Sequence, residues 1–110
     1  WGSGSVLEHP EQLDEPLRRY ARDCAGGRAP RCTDLGFALE KDDPEQAASL
    51  YQRACSAGDG LGCNNLGAAV AHQDPARALA LFEQACQLKE SWGCQNRAVL
   101  QAQLPDGGQR

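Results

Sequence analysis

The chain has 110 residues, the length of one domain with a modest core. Its formal net charge is −4 and it lacks a cluster of Lys and Arg, so neither nucleic acid nor an anionic membrane surface is an expected partner. Aromatic residues are few and Met is absent, so most of the apolar content is Ala and Leu, which favours helices over a sheet.

The first residues, WGSGSVLEHP, contain a Gly-Ser stretch that is typical of a flexible linker. They lack the basic start and the apolar centre of a signal peptide. No run in the chain approaches the roughly 18 apolar residues that cross a bilayer, so membrane insertion is not expected. We predict a flexible leader or added linker at residues 1–9, a folded repeat domain at 10–104 and a flexible tail at 105–110.

Six cysteines form three pairs with one spacing. The two members of a pair lie eight positions apart, and each pair follows the previous one by 31 residues. The pairs are Cys24 and Cys32, Cys55 and Cys63, and Cys86 and Cys94. At this offset segment 43–73 matches segment 74–104 along its length, and a more divergent copy begins near Leu13. The chain is therefore predicted to contain three copies of one unit.

Each unit is predicted to form two helices joined by a short turn. Asp43 and Asp74 are N-cap residues followed by Pro, which is favoured at the first helical position. Apolar residues at i, i+3, i+4, i+7 and i+8 follow them and predict one buried face. Gly58 suits the turn, and a second apolar stripe predicts a second helix of about three turns. Gly36 and Gly67, within second helices, are interpreted as positions where a neighbouring helix packs closely.

The first Cys of each pair lies at the end of one predicted helix and the second near the start of the next. The repeat favours sequential pairing, which gives the disulfides Cys24–Cys32, Cys55–Cys63 and Cys86–Cys94. Zinc is disfavoured because the gap is seven residues and the only histidines are His9 and His72, and a redox-active pair would normally be C-x-x-C. Three disulfides predict an oxidising compartment, hence a periplasmic or secreted protein.

The segments LYQRACSAGDGLGCNNLG and LFEQACQLKESWGCQNRA resemble Sel1-like repeats of the cysteine-rich bacterial kind, relatives of the tetratricopeptide array. The resemblance covers Leu13 to Leu104 and implies an all-α fold, a short right-handed α-solenoid of about three helix-turn-helix repeats, each with an internal C-x7-C disulfide. The connections are shorter than is usual in the family, which predicts a tighter superhelix. Sel1-like proteins are in general adaptors for other proteins, and the cysteine-rich secreted members have been associated with penicillin-like compounds and with host interactions.

The resemblance favours a non-catalytic module that binds a protein or peptide, as an adaptor, an inhibitor or an immunity-type protein. The alternative is an enzyme that weakly binds or hydrolyses β-lactams. Ser-x-x-Lys and Lys-Thr-Gly are both missing, GDGLGC has no Lys and follows a helix, and Asp42 with Asp43 is better explained by helix capping. We therefore predict no catalytic residue, no metal site and no cofactor.

The predicted partner contacts are residues of the second helices that point away from the buried stripe. They are Thr33, Asp34 and Phe37 in the first unit, Asn64, Asn65, Ala68 and His72 in the second, and Gln95, Asn96 and Val99 in the third. An equally supported interpretation is that Asn65 and Asn96 bond local backbone groups. Phe37 is of a type more often found in the core, and Trp92 is interpreted as a cover for the disulfide of Cys94.

Polar residues mark both ends of the array. Arg19, Asp23 and Arg97 occupy repeat positions that are Leu or Ala in the second unit. Because end units need polar outer faces, we expect a complete array of about three units. The alternative is that a partner covers these ends, or a second copy of the chain in a homodimer.

Overall fold

The computed structural model describes residues 5–105, and within this range all regular structure is helical. A short 3-10 turn, Pro10–Gln12, precedes six α-helices. These are α1 (Leu17–Ala25), α2 (Ala29–Leu39), α3 (Pro44–Ser56), α4 (Gly60–Val70), α5 (Pro75–Gln87) and α6 (Ser91–Gln103). The all-α prediction is confirmed, with one helix pair for each unit. Residues 1–4 of the predicted leader and 106–110 of the predicted tail lie outside the described residues.

The first helices of the second and third units begin where the sequence predicts. The Asp43 carboxylate accepts a hydrogen bond of 3.1 Å from the Gln46 backbone N–H, and the Asp74 carboxylate accepts one of 3.0 Å from that of Arg77. These bonds satisfy N–H groups that have no partner within the helix. After α3 the backbone turns through Gly58 with a φ of 95°, as its glycine predicts.

Consecutive helices pack against one another, and α2, α4 and α6 also contact one another in turn. The resulting body is elongated, with extents of 47 × 27 × 17 Å. One core cluster joins the first two units and includes Leu35 and Leu50, and another joins the last two and includes Tyr51, Leu66 and Leu81. The core therefore lies between units, so each unit depends on its neighbour for burial.

Two glycines allow the units to approach closely. A Cβ atom at Gly36 would lie 2.8 Å from Cε1 of Tyr51, and one at Gly67 would lie 2.6 Å from Cε1 of Phe82. Real Cβ atoms essentially never make such short contacts. The interpretation of both residues as packing glycines is confirmed.

The predicted disulfide pairing is confirmed in all three units. Cys24–Cys32, Cys55–Cys63 and Cys86–Cys94 join the two helices of each unit with Cα–Cα distances of 4.7, 4.5 and 4.6 Å. No cysteine is left free. Because cytosolic thiols stay reduced, three such bonds indicate an oxidising environment outside the cytoplasm.

The predicted flexible leader is wrong from Ser5 onward. Val6 is only 1% exposed and belongs to the first core cluster with Leu13, Leu35 and other residues. Its backbone N–H also donates to the side chain of Gln46 on α3. The physical reason is that α1 and α2 have an apolar side that needs a cover, and Val6 with Leu13 supplies it. Within residues 5–105, none of the helices combines the length and the apolar character needed to cross a membrane.

Candidate functional site

The second helices α2, α4 and α6 form a face that is poor in charge and rich in exposed apolar side chains. Helix α4 contains no Asp, Glu, Lys or Arg, and the single charged residue of α6, Arg97, forms an ion pair with Glu83. Five large apolar side chains are exposed among the described residues, and four of them lie on these helices. They are Phe37 (70%), Leu61 (37%), Trp92 (58%) and Val99 (55%), while the fifth, Leu88 (40%), lies in the turn before α6.

Equivalent repeat positions arrange this face in three rows that cross the helices. The middle row, which we call the amide row, consists of Asp34, Asn65 and Asn96, all partly exposed. Residues four positions earlier and three positions later lie on the same side of a helix. They form an apolar row on each side of the amide row, Leu61 with Trp92 on one side and Phe37, Ala68 and Val99 on the other.

A groove of about 490 Å³ opens on this face between the first two units. Its lining residues are Tyr20, Thr33, Asp34, Phe37, Ala38, Leu61 and Asn65. A neighbouring cavity of about 190 Å³ is lined by Phe37, Glu40, Asn65, Ala68 and Ala69. The two spaces share Phe37 and Asn65 as lining residues and therefore adjoin each other, and Phe37 and Leu61 are the large apolar residues that line the groove.

The end of this groove beside α1 is aromatic and its charges are paired. The Arg31 guanidinium lies over the Tyr20 ring, 5.3 Å from its centroid, and also pairs with the Asp34 carboxylate at 2.8 Å. Tyr20 is the repeat equivalent of Tyr51 and Phe82, which are fully buried, yet it is only partly buried itself. Because Arg31 balances Asp34, this end of the groove presents an aromatic surface with little net charge.

A network of polar side chains runs beneath the amide row. The Asn96 Nδ2 group donates to Asn64 Oδ1 at 2.8 Å, and the Asn64 Nδ2 group donates to Asn65 Oδ1 at 3.4 Å. The Tyr51 hydroxyl donates to the Glu40 carboxylate. Burial, and then the bond to Glu40, raise the pKa of Tyr51 well above its ordinary value. The phenol therefore stays neutral and keeps donating, which fixes the side chains below the groove.

The structure corrects three predictions about individual side chains. Thr33 and Asn64 are only 2% and 7% exposed, so the expectation that they point outward is wrong. Both lie between their own helix and the next unit, where Thr33 donates to the Asp59 carboxylate at the start of α4. Phe37 does not lie in the core but is 70% exposed. Trp92 also stays exposed, and Cys94 is partly exposed rather than covered.

The other predicted contacts fall into two groups. Asp34, Asn65, Ala68, Asn96 and Val99 lie in the rows described above, and the groove brings Asp34 and Asn65 together. The side chains of Asn65 and Asn96 bond to other side chains of the network, as described above. Gln95 and His72 are exposed, with His72 in the turn that follows α4. Sequence reasoning missed Tyr20 and Leu61, which line the groove, and Glu40, which lines the neighbouring cavity.

At the ends of the array, Arg19 is exposed and Asp23 pairs with Arg28 at 3.8 Å, so these polar residues do face outward.

Residues 5–105 contain no group of three or more His, Cys, Asp or Glu side chains placed to hold a metal ion. Comparisons with protein-family models, with characterised proteins and with experimental structures found no match. The Sel1-like resemblance therefore stays a prediction.

Proposed function

We propose that the protein is a non-catalytic binding module that holds an extended segment of a partner protein across α2, α4 and α6. The observation that carries this proposal is the amide row flanked by two rows of exposed apolar side chains. A side-chain amide donates and accepts hydrogen bonds, so Asn65 and Asn96 match the N–H and C=O groups of a peptide backbone. The apolar rows match side chains on either side of that backbone.

The contacts of α2, α4 and α6 with one another in turn support an extended ligand. Helices that pack side by side have axes about 8–10 Å apart. A peptide in the polyproline II conformation advances about 9 Å in each turn of three residues. A peptide lying across the face therefore presents an equivalent group to each second helix. We expect apolar residues at every third position of the ligand, one of them seated between Phe37 and Leu61.

The charge distribution supports a ligand that is bound mainly by apolar contacts and backbone hydrogen bonds. The face has no unpaired charge on α4 or α6, and Asp34 on α2 is paired with Arg31. Screening by salt weakens interactions between exposed charges and has little effect on apolar burial. The affinity is therefore expected to change little with ionic strength.

The same proposal extends to the finer fold and to the compartment. The 31-residue repeat, the three equivalent disulfides and the packing of consecutive helices support a short right-handed α-solenoid of the cysteine-rich Sel1-like kind. The disulfides support a periplasmic or secreted location. An adaptor, an inhibitor and an immunity-type protein would each use this face to hold a segment of another protein.

The test is selection of peptides from a random phage-displayed library on the oxidised protein, followed by calorimetric titration of the best synthetic peptide. We expect Phe37→Ala and Trp92→Ala each to lower the affinity at least about tenfold, as loss of an anchoring aromatic does. Phe37→Ala should fold normally, because the side chain is 70% exposed and the equivalent residue is Ala68. Leu88→Ala is the matched control, since Leu88 is exposed and lies in the turn before α6 and not on a second helix.

Three outcomes would contradict the proposal. The library yields no peptide that binds in solution, or Phe37→Ala and Trp92→Ala leave the affinity unchanged. The third is a loss of affinity in Leu88→Ala as large as that in Phe37→Ala.

A further inference from the structure

The three disulfides differ in their exposure to solvent. Both sulfurs of the first two bonds belong to residues that are no more than 2% exposed, whereas Cys86 and Cys94 are both partly exposed. The cause lies in packing. Cys24 and Cys32 lie in one core cluster with Leu50 of α3, and Cys55 and Cys63 lie in the other with Leu81 of α5. Cys86 and Cys94 are among the residues of neither cluster.

Helix α6 is also the least buried of the six α-helices. Gly93 is its single buried residue, whereas α4 buries six residues. Its polar links to the rest of the body are the ion pair of Arg97 with Glu83 and the hydrogen bond of Asn96 with Asn64. Surface ion pairs and single hydrogen bonds contribute little to stability. Apart from its packing on α5 and its contacts with α4, α6 is held to the rest of the body by these two links and by the covalent Cys86–Cys94 bond.

We propose that Cys86–Cys94 is a redox-sensitive latch, which a dithiol reductant opens before the other two disulfides and whose opening releases α6. One thiolate of the reductant attacks a sulfur of the bond, forms a mixed disulfide and expels the other protein sulfur as a thiolate, which takes a proton from water. The second thiol of the reductant then displaces the remaining protein sulfur. Two electrons have passed to the protein, which now has two thiols, and the reductant has become a disulfide.

The latch would control the binding face, and this consequence rests on the proposed function. Helix α6 supplies Trp92, Asn96 and Val99, which are the last members of the three rows. Its release would remove these side chains and the hydrogen bond from Asn96 that holds Asn64. The order in which the disulfides open is measured without any ligand. If the protein bound no peptide, the proposal that Cys86–Cys94 opens first would therefore still be tested separately.

The order is measured on the full oxidised chain without ligand. The protein is exposed to graded dithiothreitol under native conditions, quenched with iodoacetamide and mapped by peptide mass spectrometry. We expect the species with two labels to carry them on Cys86 and Cys94, with opening at least about tenfold faster than at the other pairs, whose attack requires prior local unfolding. Earlier or equal opening of Cys24–Cys32 or Cys55–Cys63 would overturn the proposal.

Release of α6 is measured by hydrogen exchange of the two-thiol species. Amides of α6 should exchange at least about tenfold faster than in the oxidised protein, while those of α3 and α4 keep their protection. The variant Cys86→Ser/Cys94→Ser should show the same pattern without reductant. Unchanged protection of α6 in either sample would contradict the proposal. A variant that loses protection in every helix would contradict it too, because the first two units would then unfold together with α6.

Discussion

Replacing Gly67 with Ala tests whether the contact between an aromatic ring and a glycine sets the distance between units. Helix propensity alone predicts that Gly67→Ala stabilises the protein by about 1 kcal/mol, because the position is in the middle of α4. The structure predicts the opposite sign. The new Cβ would lie 2.6 Å from Cε1 and 2.8 Å from Cδ1 of Phe82, whose ring is only 4% exposed. Because a buried ring has little room to move, α4 and α5 would have to separate.

Overpacking of this kind costs about 1–3 kcal/mol, so after the gain in propensity the expected net loss is about 1 kcal/mol. A loss of that size lowers the Tm of a domain of this length by about 4–8 °C. Far-UV circular dichroism during thermal and guanidinium unfolding, with the disulfides intact, measures both quantities. A higher Tm for Gly67→Ala than for the unchanged protein would refute the reasoning.

The third unit provides the matched control. Ala98 is the repeat equivalent of Gly67 and is exposed, so its Cβ costs nothing in packing. Ala98→Gly should therefore follow propensity and destabilise by about 1 kcal/mol. The opposite preferences at two equivalent positions would show that Phe82, and not the helix itself, decides which residue is tolerated. Phe82→Leu should weaken the effect of Gly67→Ala, which a double-mutant cycle measures.

Two further predictions concern the pH dependence of the free energy of unfolding. Hydrogen bonds from the side chain and backbone of Gln46 lower the pKa of Asp43 in the folded protein below its usual 3.8. The ionised carboxylate therefore stabilises the fold above pH 3.8, and this contribution is lost as the pH falls through the lowered pKa of the folded state. Asp43→Asn should remove this part of the acid dependence in denaturation curves, and an unchanged acid dependence would contradict the assignment. Burial and Glu40 raise the pKa of Tyr51 above its usual 10.0, so stability should fall above pH 10, where the unfolded chain ionises. Tyr51→Phe should abolish that alkaline loss and cost about 0.5–1.5 kcal/mol at neutral pH, and a retained alkaline loss would exclude Tyr51 as its source.

The sequence predicted those parts of the fold that depend on local signals or on the repeat. Asp43 and Asp74 start helices because a carboxylate before a proline satisfies free backbone N–H groups wherever it occurs. The disulfides followed from the equal spacing of the Cys pairs, and Gly36 and Gly67 from their cost in the middle of a helix. None of these inferences requires knowledge of which units are neighbours in space.

The errors arose where burial depends on the next unit. Thr33 and Asn64 lie off the apolar stripe of their own helix, and only the position of the following helix shows that they are covered. Phe37 fits its predicted place among the outward residues, and only the alternative interpretation as a core residue, which rests on its aromatic character, is wrong. Val6 follows a Gly-Ser stretch, and its burial depends on the uncovered apolar side of α1 and α2. Contacts between units are distant in the sequence, so no local pattern reports them.

The position of the disulfide explains how the second helix can carry the residues of the proposed binding face. Helix α4 contains Gly62, Gly67, Asn64 and Asn65 in its interior, and these residues together disfavour a helix by about 3 kcal/mol relative to Ala. A disulfide that closes a ring of nine residues contributes about 2–3 kcal/mol. The covalent bond thus offsets most of the low intrinsic helix propensity. Glycine can then serve close packing between units and asparagine can serve hydrogen bonding, while the charged residues that usually stabilise an exposed helix stay mostly on α1, α3 and α5.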